Sequence, residues 1–198
     1  NHLLVHQGLK DKNKVNFSHL RLISKDTKNL LLPQKYVVIH PGMAGSALNW
    51  PVNYYKELIE SLCQKTQVLI TGTQTDQHMI APLKAQLPPL SNVVWMNEKL
   101  NGEELVYVLS KAQAIFAPST GVIHIAASLG VPTFGIYSPV TVQKAQRWGP
   151  KGDKIQTFTP EVKCPGHFKC LGSACKDFNC MELVTPKKIY DNITPYLM

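Results

Sequence analysis

The stretch AIFAPSTGVIHIAASLGVPTFGIYSP, from Ala114 to Pro139, allows this chain few folds. Ala114 to Phe116 reads as the end of a buried strand, and Pro118 is expected to stop it. Ser119 and Thr120 are good N-cap residues for a helix beginning near Gly121. Val122 to Leu129 then predicts a short, largely apolar helix. Gly130 stands where a left-handed cap ends such a helix, Pro132 follows, and Thr133 to Tyr137 is β-branched and aromatic enough for the next buried strand. The unit is strand, helix, strand, with tight loops.

Chemistry is expected in the first of those loops. A helix start presents unpaired backbone N–H groups and the positive end of a dipole, so it favours an anion. Ser119 and Thr120 add hydroxyl donors, Gly121 permits close backbone approach, and His124 can lean over the same end from one turn on. Each residue alone has a plainer role, Ser119 as an N-cap and His124 as a half-buried histidine. Together they favour a phosphate or diphosphate site.

The rest of the chain repeats the alternation. Tyr36 to His40, YVVIH, reads as a continuous buried strand that runs into the small-residue loop Pro41 to Ser46 and then Trp50 and Pro51. That layout suits a phosphate cradle, although it matches neither the P-loop nor the dinucleotide fingerprint. Gly42, Gly45, Ser46 and Asn49 are its candidate contacts; a tight turn with Trp50 in the core is the alternative. Asn53 to Lys65 predicts an amphipathic helix and Gln67 to Thr71 a second strand, followed by TGTQTD. Asp76 could accept bonds from ribose hydroxyls, or cap the helix that carries Met79 and Ile80. Val93 to Met96 and Asn101 to Ala112 predict a third strand and its helix, with Met96 placed to pack against a nucleobase. A Rossmann-like α/β fold follows: a parallel sheet, helices on both faces, ligands at the carboxyl ends of the strands.

STGVIHIAASLGVPTFGIYSP, followed by RWGP, resembles the C-terminal half of the family-9 glycosyltransferases, the lipopolysaccharide heptosyltransferases. Thr120, Gly121, His124, Ala126, Ala127, Leu129, Gly130 and Pro132 fit that family's motif, while Ser119 replaces a common acid and Leu48 a common lysine. The resemblance runs from about Tyr36 to the C-terminus. It implies the C-terminal domain of a GT-B enzyme. Residues 1–35 would connect to a missing N-terminal domain, and residues 36–198 would bind a nucleotide diphosphate sugar, ADP-heptose first among them. The acceptor would be lipopolysaccharide core or another envelope saccharide, the general base would lie in the other domain, and no cofactor would be needed. This part alone is then expected to be inactive.

Composition narrows the rivals. The formal charge of +8 invites a nucleic-acid partner, but the basic residues form no dense run and an anionic small ligand accounts for it as well. Lys144 and Arg147, in the polar loop after Pro139, could neutralise phosphate or acceptor charge. No apolar run approaches a membrane span and residues 1 to 30 are too polar for a signal peptide, so the chain is expected to be cytoplasmic, with peripheral association at the inner face of the membrane allowed. His2, His6 and His19 are too irregular for a metal site. Cys164, Cys170, Cys175 and Cys180 fall in a Cys-rich loop over residues 160–182, without paired C-x-x-C spacing. Reduced thiols, an irregular zinc site and a redox-sensitive pair all remain open there, and the resemblance favours a structural loop. Thr185 to Leu197 is expected to close the chain with a helix. A non-catalytic sugar-nucleotide-binding module is the rival function; a dinucleotide oxidoreductase is disfavoured by the missing GxGxxG.

Overall fold

A computed structural model describes residues 30–197. Most of the expected connecting segment, with His2, His6 and His19, lies outside the described residues. Six parallel strands form one sheet in the order β3-β2-β1-β4-β5-β6: β1 Tyr36–Ile39, β2 Gln67–Ile70, β3 Val93–Trp95, β4 Ala114–Pro118, β5 Thr133–Ile136 and β6 Ile155–Phe158. Between them run α1 Val52–Leu62, α2 Gln77–Gln86, α3 Gly102–Lys111, α4 Gly121–Ser128 and the short α5 Ala145–Trp148, and α6 Pro186–Ile193 follows β6. This is the doubly wound α/β arrangement. Its order reverses between β1 and β4, where a crevice opens outside the strand ends.

The central strands are apolar along their whole length because helices cover both faces. In β1, Val37 and Ile39 pack with Leu58 and Leu62 of α1 and Ile189 of α6, while Tyr36 and Val38 pack with Val108 of α3 and Ala126 of α4. The Tyr36 hydroxyl donates to the Val108 carbonyl at 2.7 Å, so its polar tip is satisfied inside the second layer. Trp50, 1% exposed, lies edge-on to Tyr55 and Phe116 and donates its indole N–H to Val184 O at 2.8 Å. It thereby ties the loop after β1 to the C-terminal region. No helix among the described residues is long and apolar enough to cross a membrane.

Several boundaries depart from expectation. β4 runs on through Pro118. The Phe116 carbonyl accepts the His40 N–H, so Pro118, two residues on, turns its nitrogen to the same side, past the end of β1 where no ladder partner is required. β6 was not expected at all; it is a four-residue edge strand with exposed Gln156 and Thr157. The closing helix ends at Ile193, and a 3-10 turn over Thr194–Tyr196 carries the Pro195 that cannot continue it. The end of α4 is as expected: Gly130 sits at φ +73°, with Gly130 N–H to Ala127 O and Val131 N–H to Ala126 O at 3.0 and 3.3 Å. These are the paired bonds of a Schellman cap, which bring the chain straight back into β5.

Candidate functional site

The carboxyl ends of the strands surround a cavity of about 1070 Å³. Its middle is the head of α4. Thr120 takes the N-cap position in an extended conformation, yet its side chain makes no capping bond. Ser119, Thr120, Gly121 and His124 all line the cavity, and a Cβ added to Gly121 would meet nothing within 4 Å. Ser119 also lies beside the Tyr137 phenol, which burial pushes up to about 12 against the opposing effect of that hydroxyl. The four residues expected at the anion site thus come together on one cavity, and the Thr120 hydroxyl is not spent on capping its helix.

Beside it, the loops after β1 and β2 are locked together. Asp76, 3% exposed, accepts from Thr73 N–H at 2.9 Å, Thr73 Oγ1 at 2.7 Å and Ala44 N–H at 3.1 Å. Burial favours its protonated form, but the bonds from Thr73 and Ala44 outweigh that and hold the carboxyl below the usual range. His40 is equally buried: Nδ1 meets Thr71 Oγ1 at 3.0 Å, and Nε2 lies 3.8 Å from Asp76 Oδ2. Burial pushes its pKa down to about 4 in spite of the nearby carboxylate, so the ring is neutral at pH 7. Gly42 is needed here because a Cβ would fall 2.0 Å from Asp76 Cγ. The loop then turns through Ala44 and Gly45 at φ +50° and +73°.

The candidates in these loops divide. Ser46 and Asp76 line the cavity, while Gly42, Gly45 and Asn49 do not. Asn49 is occupied locally: Nδ2 donates to Pro41 O at 2.8 Å, and Oδ1 accepts from Trp50 N–H and Tyr55 Oη. Asp76 reaches the cavity wall with both oxygens already bonded. Met96 lines an apolar end with Leu100, Leu105 and Ile125, as its place after β3 predicts.

The opposite end was missed except for Arg147. It is formed by Val142, Gln143, Arg147 and Trp148 after β5, with Phe168 from the Cys-rich loop; Lys144 is not among the lining residues. A Trp and a Phe in a polar stretch were the available signal. His40 was also missed, although a histidine at the carboxyl end of a central parallel strand is placed to face a ligand.

The four clustered cysteines are free thiols that line a separate, small cavity with Leu48 and Val140. Burial first, and then the three other thiols, push the Cys180 pKa up. Among the described residues no three His, Cys, Asp or Glu side chains are grouped so as to hold a metal. Thr141 and Val142 N–H groups donate to Gly166 and His167 carbonyls at 3.1 Å each, joining this loop to the cavity wall.

Known proteins match the same scaffold. The family model of glycosyltransferase family 9 (heptosyltransferase) matches residues 6–173, reaching further toward the N-terminus than Tyr36 and stopping inside the Cys-rich loop. A putative glycosyltransferase of Haemophilus influenzae is 24% identical over 135 residues, covering 67% of this chain and 39% of that protein. Lipopolysaccharide heptosyltransferase 1 of Pseudomonas aeruginosa is 29% identical over 106 residues, 52% of this chain and 29% of the relative. The chain thus spans well under half the length of these relatives. Among solved structures, E. coli ADP-heptose lipopolysaccharide heptosyltransferase II superposes with a TM-score of 0.71 at 19% identity, over 88% of this chain and 52% of that one. E. coli heptosyltransferase WaaC with ADP gives 0.63 at 19% identity, over 85% and 47%. With the family model spanning most of its length, the chain belongs to glycosyltransferase family 9, the heptosyltransferase family.

Proposed function

We propose that this chain is the donor-binding part of a glycosyltransferase that moves a sugar from a nucleotide diphosphate sugar to a lipopolysaccharide-core or other envelope saccharide. The observation that carries this reading is the head of α4, where Ser119 and Thr120 face the cavity and the N-cap hydroxyl makes no capping bond. ADP-heptose is the favoured donor, since solved relatives carry ADP and ADP-2-deoxy-2-fluoro heptose. Transfer requires an acceptor hydroxyl to attack the anomeric carbon while the diphosphate leaves with its electron pair. The N–H groups of Gly121 and Val122, the two hydroxyls and the Arg147 guanidinium would stabilise that leaving charge, a preorganised electrostatic contribution. Neutral His40 and bonded Asp76 fix the neighbouring loop and take no proton. The general base is assigned to a partner domain across the cleft, and the acceptor to the inner face of the membrane.

A non-catalytic nucleotide-sugar-binding role is the second reading, because Asp76 is the one carboxylate among the described lining residues and its oxygens are occupied. Calorimetry with ADP-, UDP-, GDP- and dTDP-sugars tests the donor class, and no binding of any of them would overturn it. Assay of this chain beside the full-length gene product, with a truncated envelope acceptor, then separates the two readings. Turnover by the chain alone would put the base within these residues.

A further inference from the structure

The order of the loops along the strand ends gives the cavity a direction. Met96, Leu100 and Leu105 follow β3 at one edge of the sheet; the head of α4 follows β4 in the middle; Gln143, Arg147 and Trp148 follow β5 and Phe168 follows β6 at the other edge. A nucleotide diphosphate sugar has the same three parts in the same order: flat apolar base, anion, polyol. With the base against the apolar end and the diphosphate on Ser119 and Thr120, the sugar falls at the β5 and β6 end.

That end has a defined construction. Trp148 is held from three sides: its indole N–H donates to Val142 O at 2.8 Å, its own carbonyl accepts from Tyr137 Oη at 3.1 Å, and its backbone N–H donates to Lys144 O at 3.1 Å. Trp148 is nonetheless 49% exposed. Because its ring's one polar atom is bonded, much of what it offers the cavity is carbon surface. Phe168 is 75% exposed on the same cavity, and the backbone beside it is tied to the cavity wall, the His167 carbonyl accepting the Val142 N–H. Arg147 lies over the Trp148 ring at 5.4 Å, which orients a planar five-donor group beside an aromatic one. Large exposed aromatics beside a cationic fork are costly to leave in water, and one already held in place, as Trp148 is, is cheap to order on binding. Pyranoses match such a surface, with a patch of C–H groups for an aromatic face and hydroxyls for the guanidinium.

We propose that Trp148, Phe168 and Arg147 form the subsite for the glycosyl group of the donor. The proposal rests on the donor-binding function above and adds to it the place and chemistry of sugar recognition. The Cys-rich loop acquires a role, because it carries Phe168 to the cavity and is stitched to Val142.

The test compares ADP with ADP-heptose by calorimetry on the wild type, on Phe168→Ala and on Trp148→Ala/Phe168→Ala. Phe168→Ala removes a mostly exposed side chain, so it guards against misfolding of the double variant, and thermal unfolding checks both. The wild type is expected to bind ADP-heptose more tightly than ADP. In the double variant ADP-heptose should weaken by about tenfold while ADP stays within about twofold, with Phe168→Ala between them. Equal weakening of both ligands would put the aromatic lip on the nucleotide and overturn the proposal. So would unchanged ADP-heptose affinity, or a wild type that gains nothing from the sugar while still binding ADP. A wild type that binds neither ligand would overturn the donor assignment itself, and this subsite with it.

Discussion

Two polar clusters stand side by side at the crevice between β1 and β4, and they use their hydrogen-bonding groups in opposite ways. In the His40, Thr71, Asp76 cluster the hydrogen bonds run inward, to Thr73, Ala44 and one another, and the side chains of His40 and Asp76 are almost wholly buried. At the head of α4, Ser119 and Thr120 are half-buried, and the N-cap hydroxyl leaves its own helix uncapped. The first cluster fixes a loop; the second lines the open cavity. A carboxylate and a hydroxyl on the same cavity therefore differ less in their chemistry than in whether the fold has already occupied them. Substitution should separate the two clusters, with the first governing stability and the second affinity.

The largest effect is expected from Asp76→Ala. It strips the partners from the Thr73 and Ala44 N–H groups in a buried setting, and should lower unfolding stability by about 3 kcal/mol in urea titration. Gly42→Ala should do similar damage through the same carboxylate, which its Cβ would displace. The two together should then cost less than their separate effects combined. Full additivity would mean that Gly42 and Asp76 act independently, and would break the account of one locked loop.

The same cluster predicts a pH dependence. His40 has a folded pKa of about 4, below its ordinary 6.5, so over that interval the unfolded chain binds the proton more readily. Stability is complete above pH 6.5 and falls as the pH drops toward 4. The loss should approach about 3 kcal/mol, since each pKa unit corresponds to about 1.4 kcal/mol. Asp76, with its pKa lowered, adds a second loss at more acidic pH, as the carboxylate takes up a proton. Urea midpoints measured from pH 7.5 to 4 should show the first slope, and His40→Gln should flatten it. An unchanged slope in that variant would assign the titration to other groups.

This contrast explains what the sequence made legible. YVVIH, QVLI and AIFAP could be read as central strands because a parallel strand covered on both faces is apolar throughout. Ser119, Thr120 and Gly121 could be read because a helix start announces itself locally. The occupation of Asp76 could be read only in part: the capping alternative holds through Thr73, three residues earlier, but the Ala44 N–H on its other oxygen comes from a loop thirty-two positions earlier in the chain. Asn49 was misleading for a different reason: its partners Pro41, Trp50 and Tyr55 are near in sequence, but nothing in the local pattern says that its amide is spent on them and not on a ligand. β6 and the aromatic lip lie in polar sequence, where position in the fold, and not local pattern, gives a residue its role.

The second cluster should respond in affinity and not in stability. Ser119→Ala with Thr120→Ala removes two donors that a diphosphate would use, and nucleotide binding should weaken by roughly 1 to 3 kcal/mol if those bonds are charge-assisted. Because Thr120 makes no capping bond, the usual penalty for losing an N-cap should be absent, and stability should change by less than about 0.5 kcal/mol. Calorimetry and urea titration on the same protein give both numbers. Unchanged affinity with reduced stability would turn the comparison around, making these hydroxyls structural.

The smallest effect is expected at the cysteines, a third way of occupying polar atoms. All four line a small cavity with Leu48, Val140 and Val162, where a thiol acts as a small apolar group and a weak donor. Cys180 is nearly buried, and its raised pKa keeps it protonated at neutral pH, which suits packing and opposes nucleophilic use. Cys170 Sγ accepts the Gly172 N–H at 3.4 Å, a local bond that helps shape the turn after it. Protein purified without chelator should therefore carry less than one zinc per chain, and chelator should leave the unfolding temperature in place. A Cys164→Ser/Cys170→Ser variant should lose no more than about 1 kcal/mol, because both thiols are only half-buried. One tightly held zinc per chain, with unfolding on its removal, would show that the four sulfurs close around a metal in solution. The lip that carries Phe168 would then owe its shape to that ion and not to packing.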